Sequence, residues 1–433
     1  MIESPEGSSQ NESVDLSESA SQPVEPDLSD TGSSAKEFKF YQDRFAGMAE
    51  RHNNRKGWEK LVDKHVLEND KKSRPKKVSK EYVMQEQAER ENADLNRRMD
   101  LERREWDEAL KPVIEAFKGR RDSVEMEGKP KRLLIYALGG GLRGPYGAGQ
   151  VIALNEMGIT ADKVDVLVGS SAGEDDLIYY ADGPESTYRG TSIYYEECTT
   201  KEFVDVRPKR ISQIMNVTVV ENAMRKGKKA INEDRIRNLP TEIYALATPV
   251  NGAEAELINV KTAVGESGEL DMISAVKASM NVRLLRAPGT MVNGKLMEDG
   301  SFGSLQLQKL IDEFEPTDIL VLPNIPFRNL EEFKESSSWL EHLPNSTSIG
   351  TFKKFAKISG ELRKMMEEFK KTQGVNIGVL WPPDRGLDVL DQDPDSIKLA
   401  VVDTVRDTIR QFGEKQPEEV HLYESEEYQS QAA

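Results

Sequence analysis

Residues 168–173 read Val168-Gly169-Ser170-Ser171-Ala172-Gly173. This stretch follows an apolar run, residues 164–168, that suits a buried strand, and it precedes a segment that can form a helix. A Gly-x-Ser-x-Gly sequence between strand and helix is typical of a nucleophile elbow, a tight turn that exposes the serine hydroxyl at the end of a sheet. The two glycines let the strand and the helix approach each other closely. The stretch therefore predicts an α/β fold with Ser171 as a candidate nucleophile.

A glycine-rich loop lies upstream of this turn. The mostly apolar residues 131–138 predict a buried strand, which ends in Gly139-Gly140-Gly141-Leu142-Arg143-Gly144, and residues 146–157 predict a helix. Amide groups of such a loop attract an anion, either a phosphate or a developing oxyanion. No Gly-Lys-Ser/Thr follows, so a phosphate loop of the NTPase type is excluded. A dinucleotide site is disfavoured, because Ser170 and Ser171 stand where the next strand would end in an acid.

A carboxylate lies downstream, after a predicted hairpin. Residues 291–297 contain Asn293-Gly294, the strongest short signal for a two-residue hairpin turn, and lead to Asp299. A triad would also need a histidine, but none of the four lies in a motif: His52, His65, His342 and His421. The sequence thus favours a Ser171–Asp299 dyad, in which the aspartate acts directly as the base.

The order of these three motifs resembles that of the patatin-like phospholipases, over residues 132–324. The resemblance implies a three-layer α/β fold with a mostly parallel central sheet, and hydrolysis of fatty-acyl esters of lipids without a cofactor or metal. It makes Ser171 the nucleophile and Asp299 the base. It also implies that Arg143 steadies the glycine loop. The candidate oxyanion-hole residues are Gly139, Gly140, Gly141, Arg143, Gly144 and Ala172.

The chain departs from that family's pattern at two places. Ser301 stands where the family has glycine or alanine, and Gly173 is followed by Glu174-Asp175-Asp176. Acids in a first helical turn complement the helix dipole by about 0.3–1 kcal/mol each. Alternatively, a carboxylate ~8 Å from the oxyanion costs up to ~2 kcal/mol, a roughly thirtyfold loss of rate. The acids also disfavour deep burial of this helix. The alternative function is therefore a catalytically weakened lipid-binding or scaffolding protein.

Composition divides the 433 residues into four predicted regions. Residues 1–35 hold eight acids and no lysine or arginine, which predicts a disordered acidic tail. Residues 36–130 form a charged helical extension, 131–415 the catalytic domain, and 416–433 a polar tail that we expect to fray. Within the catalytic domain, further strands are predicted at 243–248, 257–260, 318–322 and 377–380, and helices at 271–280, 305–314, 352–371 and 395–412.

The helical extension carries one apolar stripe, which favours packing against the catalytic domain or another copy of the chain. Pro112 is expected to kink or interrupt it. The members of the stripe are Leu95, Met99, Trp106, Leu110, Val113, Ile114 and Phe117. The basic run 71–80 fits an exposed linker better than contact with anionic lipid or nucleic acid.

Charge, cysteine content and hydropathy limit the partners and the compartment. A net charge of −17 argues against nucleic acid as the main partner. The single cysteine, Cys198, excludes an internal disulfide and a cysteine-rich metal site. No apolar run is long enough for a transmembrane segment. We therefore expect a cytoplasmic protein, peripheral to the membrane during transient contact with a lipid surface, and the oligomeric state stays open.

Overall fold

The computed structural model describes residues 80–123, 131–204, 215–252, 254–282, 289–302, 307–328, 367–387 and 391–425. Its described residues from Glu89 onward belong to one compact unit. Several sequence predictions fall outside these ranges: the acidic tail 1–35, most of the basic run, three of the four histidines and residues 352–366. The predicted domain limits stay predictions.

Strands and helices alternate along most of the described chain. The strands are β1 Leu133–Ala137, β2 Val166–Ser170, β3 Glu242–Pro249, β4 Glu256–Asn259, β5 Thr290–Val292, β6 Lys295–Asp299, β7 Asp318–Leu322 and β8 Asn376–Val379. The helices are α1 Lys80–Arg121, α2 Pro145–Glu156, α3 Ala172–Asp182, α4 Pro184–Glu196, α5 Thr218–Arg225, α6 Glu233–Asn238, α7 Met272–Met280, α8 Leu307–Phe314 and α9 Pro394–Gln411. Each strand predicted from the sequence is found within two residues of its expected limits.

The strands form one mixed sheet in the order β5-β6-β3-β2-β1-β7-β8, with β4 also paired to β3. Neighbours β3, β2, β1, β7 and β8 run parallel, whereas β4 and β6 pair antiparallel with β3. The β5–β6 hairpin turns at Asn293 and Gly294, both with positive φ (51° and 74°), as the Asn-Gly turn predicts. Because parallel strands end on one edge of the sheet, the loops after β1, β2 and β7 meet there.

Both faces of the sheet are covered. Leu133, Ile135 and Ala137 of β1 belong to one apolar cluster, which they share with α2, α3, α7 and α9. The alternate residues Leu134 and Tyr136 belong to a second cluster on the opposite face, shared with α8. A strand buried on both sides explains why β1 reads as a continuous apolar run. The predicted α/β class, with a central sheet between layers of helices, is confirmed.

Helix α1 packs at the β8 edge of the sheet. A Cβ atom at Gly378 of β8 would lie 2.8 Å from a terminal methyl carbon of Leu110, so the missing side chain permits a close approach. The stripe from Trp106 to Phe117 is buried with the core of the sheet. The helix continues past Pro112, contrary to the expected interruption. Packing of this stripe offsets the one hydrogen bond that proline removes.

Residues 417–425 are held against α4 and α9, although the polar tail was expected to fray. The Tyr195 hydroxyl donates to the Tyr423 carbonyl, and the Ser425 amide donates to Glu196 at 2.8 Å. Lys398 forms an ion pair with Glu424 at 2.5 Å. These polar contacts act together with Val420 and Leu422, which pack against the apolar core.

Candidate active site

Ser171 lies in the sharp turn between β2, which ends at Ser170, and α3, which begins at Ala172. Its backbone has φ 54° and ψ −128°, a strained conformation for a residue other than glycine. A Cβ atom at Gly173 would lie 2.7 Å from the carbonyl carbon of Ala137, so only glycine lets α3 start this close to β1. The turn has the backbone geometry of the nucleophile elbow that the sequence predicts.

The glycine loop lies directly beside this serine. A Cβ atom at Gly139 would stand 2.9 Å from the Cβ of Ser171. Gly141 has φ 58°, in the region that favours glycine, and begins a short 3-10 turn that ends at Arg143. Gly144 lies against Tyr194, whose hydroxyl oxygen would be 2.3 Å from a Cβ at position 144. The loop and the elbow thus meet at the carboxyl ends of neighbouring strands.

Ala172 and Arg143 are the two other candidate residues of the oxyanion hole. Ala172 is the first residue of α3, so its amide has no acceptor within the helix. The Arg143 side chain is half-buried, and its Nε lies 3.5 Å from the Gly140 carbonyl oxygen, at the outer limit of a hydrogen bond.

Asp299 reaches the elbow through sheet pairing. It ends β6 opposite Ala247 of β3, and the neighbouring residue of β3, Leu246, pairs with Ser170. Its amide donates to the Asn281 carbonyl at 3.0 Å. The antiparallel hairpin therefore returns the chain to the site that the parallel strands form.

The Asp299 carboxylate is buried and receives several hydrogen bonds. The Ser301 amide donates to its Oδ1 at 2.8 Å, and the Ser171 hydroxyl is close enough to the carboxylate to lower the pKa of Asp299. Burial raises the pKa of Asp299, while the hydrogen bonds from Ser301 and Ser171 oppose that rise. A carboxyl with a raised pKa is a stronger base than free aspartate, so this environment suits acceptance of a hydroxyl proton.

Two polar residues that the sequence analysis missed hold the elbow and the loop. The hydroxyl of Ser279, on α7, accepts the Ser171 amide at 2.9 Å. Asn324, two residues after β7, accepts the Gly147 amide at 2.6 Å and donates to the Leu138 carbonyl at 2.7 Å. Both are fully buried. A polar residue just beyond a buried parallel strand was the available signal for Asn324; Ser279 carried none.

The three acids after the elbow are buried, which corrects the expectation of a shallowly packed helix. Glu174, Asp175 and Asp176 are 0%, 3% and 4% exposed. Burial raises the pKa of Asp175 to about 7 and the pKa values of Glu174 and Asp176 well above the usual range. The Tyr194 hydroxyl donates to Asp176 at 3.0 Å. Burial raises the pKa values of these acids and so favours their neutral forms, which lowers the cost of packing helix α3 this deeply.

The described residues include one of the four histidines. His421, the one histidine in the described ranges, is exposed and faces Glu419 at 3.6 Å. Within those ranges, no group of three or more histidine, cysteine or acidic side chains is arranged to hold a metal. None of the helices described combines the length and apolarity needed to cross a bilayer.

A comparison with protein families and with curated proteins finds no match. The solved structures that are similar in part include the following three. VipD from Legionella pneumophila is 13% identical with a TM-score of 0.33, over 66% of this chain and 67% of that one. The ExoU–SpcU complex from the type III secretion system of Pseudomonas aeruginosa is 15% identical with a TM-score of 0.23, over 63% of this chain and 60% of that one. Type III effector protein ExoU is 14% identical with a TM-score of 0.22, over 55% of this chain and 53% of that one. The chain thus spans about two thirds or less of these proteins, and at these TM-scores the likeness carries no argument about activity.

Proposed function

We propose that this protein is a serine acyl hydrolase of the patatin-like phospholipase type, which cleaves fatty-acyl esters of lipids through a Ser171–Asp299 dyad. The observation that carries the proposal is that the Ser171 hydroxyl, at a strained turn beside a glycine loop, is close enough to the buried Asp299 carboxylate to lower its pKa. A serine activated by an adjacent base, with amide groups close by, is the arrangement that acyl transfer requires.

Acylation follows from this arrangement. The Ser171 oxygen attacks the ester carbonyl carbon while its proton passes to Asp299. Amides of Gly140, Gly141 and Ala172 bind the oxyanion, and each well-placed donor contributes about 3–4 kcal/mol to the transition state. The bond between the acyl carbon and the alkoxy oxygen then breaks, and the leaving alcohol takes the proton from Asp299. An acyl-Ser171 ester remains.

Deacylation repeats the steps with water. Water attacks the acyl carbon, its proton passes to Asp299, and the bond to the Ser171 oxygen breaks as that oxygen is reprotonated. The products are a fatty acid and the free enzyme. Because Asp299 must be ionised at the start of both steps, activity requires a pH above the raised pKa of this carboxyl.

The buried acids of α3 allow turnover in this scheme. The raised pKa values of Glu174 and Asp176 favour their neutral forms, which reduces the negative charge near the oxyanion and with it the thirtyfold penalty considered for a carboxylate. Asp175, with a pKa near 7, becomes charged under mildly alkaline conditions. The alternative of a weakened lipid-binding or scaffolding protein then predicts lipid binding without hydrolysis at any pH.

Ester hydrolysis by purified variants tests the proposal. Wild type, Ser171→Ala and Asp299→Asn are assayed against phospholipid, lysophospholipid, neutral glyceride and thioester substrates presented on vesicles and in micelles. We expect turnover of at least one acyl ester by wild type and loss by more than about a thousandfold in both variants, with unchanged thermal unfolding. Vesicle binding without turnover by wild type supports the scaffolding alternative, and retained turnover in either variant defeats the dyad.

A further inference from the structure

Ser301 occupies a fixed position next to the proposed base. It lies in the short 3-10 turn Gly300–Phe302, which begins immediately after Asp299. A Cβ atom at Gly300 would stand 2.3 Å from the carbonyl oxygen of Leu246, so this turn rests directly on β3. The backbone of Ser301 is therefore held against the sheet and does not depend on a loose loop.

Ser301 contacts the same carboxylate through its backbone and its side chain. Its amide donates to Asp299 Oδ1 at 2.8 Å, and its hydroxyl is close enough to the carboxylate to lower the pKa of Asp299. A Cβ atom at Gly139 would lie 3.0 Å from the Ser301 hydroxyl oxygen and 2.9 Å from the Ser171 Cβ. Ser171 and Ser301 thus flank one glycine and share one carboxylate.

The hydroxyl groups of Ser171 and Ser301 differ during turnover, because only that of Ser301 stays free to donate a hydrogen bond throughout. Once Ser171 carries the acyl group, its oxygen is esterified and no longer has a proton to donate. Of the two serine side chains beside it, the carboxylate then keeps only Ser301 as a hydroxyl donor, while it must act as the base for water. A buried carboxylate that loses hydrogen-bond donors is destabilised relative to its protonated form.

Resting on the proposed function, we propose that Ser301 is a positioning residue for Asp299, whose hydroxyl keeps the carboxylate oriented and ionised, above all in the acyl-enzyme. The residue acts through Asp299 and does not attack substrate. Glu298, the neighbouring residue of β6, repels the Asp299 charge from the same strand and is present in every variant below.

Kinetics of Ser301 variants test this role. Ser301→Ala is expected to move the acidic limb of the pH profile of kcat upward by about one pH unit. It should slow deacylation more than acylation, so the initial burst of p-nitrophenol from a p-nitrophenyl ester grows relative to the steady rate. Ser301→Thr, which keeps the hydroxyl, should restore both features. Ser267→Ala, at an exposed serine, is the matched control. An unmoved limb and an unchanged burst in Ser301→Ala would overturn the inference.

A measurement that needs no turnover separates this inference from the proposed function. The carboxyl carbon of Asp299 is titrated by ¹³C NMR in Ser171→Ala and in Ser171→Ala/Ser301→Ala, with Asp299→Asn used for assignment. The pKa of Asp299 should be higher in the double variant by about one unit. Equal pKa values in the two proteins reject the role of Ser301, whether or not wild type hydrolyses esters.

Discussion

Gly139 lies so close to Ser171 that a Cβ atom at position 139 would stand 2.9 Å from the Ser171 Cβ. The same atom would stand 3.0 Å from the Ser301 hydroxyl oxygen. Neither neighbour can move freely, since Ser171 is fixed in the elbow and Ser301 is fixed on β3. The glycine loop therefore packs directly against Ser171, the proposed nucleophile, at Gly139.

Gly139→Ala should therefore displace the loop from Ser171. We expect a loss of esterase activity of about a hundredfold or more, the size of the effect of removing one oxyanion donor, and a destabilisation of about 1–3 kcal/mol from overpacking. Initial rates and urea unfolding of the purified variant check both numbers. Wild-type activity in Gly139→Ala would show that the loop does not take part in catalysis.

Asn324→Ala should weaken the support of the glycine loop, residues 139–144. The substitution leaves the Gly147 amide and the Leu138 carbonyl without their buried partner, which costs about 1–3 kcal/mol for each group. Activity should fall as well, because both groups flank the glycine loop. Asn238→Ala removes an exposed asparagine and is the matched control. Equal unfolding free energies for the two variants would contradict the account.

Because the pKa of Asp175 is raised in the fold, the free energy of unfolding should fall as the pH rises. Its pKa is 3.8 in the unfolded chain and about 7 in the fold, so the folded state binds the extra proton between these values. The stabilisation is complete below about pH 4 and is lost as the pH rises through 7, by about 3 kcal/mol between pH 5 and 8. Asp175→Asn should remove that share of the pH dependence in urea unfolding, while the exposed control Asp234→Asn should not. Parallel stability–pH curves for wild type and Asp175→Asn would refute a neutral Asp175.

Helix α1 should prove part of the folded unit. Phe117→Ala, at a fully buried position of the stripe, is expected to cost about 3–5 kcal/mol. Leu101→Ala, on the same helix but 55% exposed, should change the free energy of unfolding by less than about 0.5 kcal/mol. A difference of less than 1 kcal/mol between the two variants would mean that the helix adds little to the stability of the sheet domain.

Local patterns in the sequence predicted most of the sheet and the backbone of the site. Apolar runs located β1 and β2, because a strand covered on both faces needs no alternation. Asn293-Gly294 located the hairpin, because that dipeptide suits two consecutive positive φ angles. The elbow around Ser171 was recognised for the same reason: its glycines are needed within a few residues of the serine.

Long-range contacts and charge states could not be predicted this way. Asn324 and Gly147 are 177 residues apart, and Ser279 and Ser171 are 108 apart, so no local pattern links them. The acids after Gly173 left two interpretations open, a favourable interaction with the helix dipole or a penalty at the oxyanion, and neither predicted their burial. A sequence gives formal charges and not the shifts in pKa that burial causes. The helix through Pro112 likewise depends on tertiary packing, which outweighs one missing hydrogen bond.

Covalent labelling by a fluorophosphonate tests the dyad most directly. The adduct is located by mass spectrometry in wild type, Ser171→Ala, Asp299→Asn and the control Ser267→Ala. The account predicts a single adduct on Ser171 in wild type and in the control, none in Ser171→Ala, and labelling slowed by about a hundredfold or more in Asp299→Asn. A wild-type protein that stays unlabelled under conditions that label an active serine hydrolase, or an adduct on another serine, would contradict it.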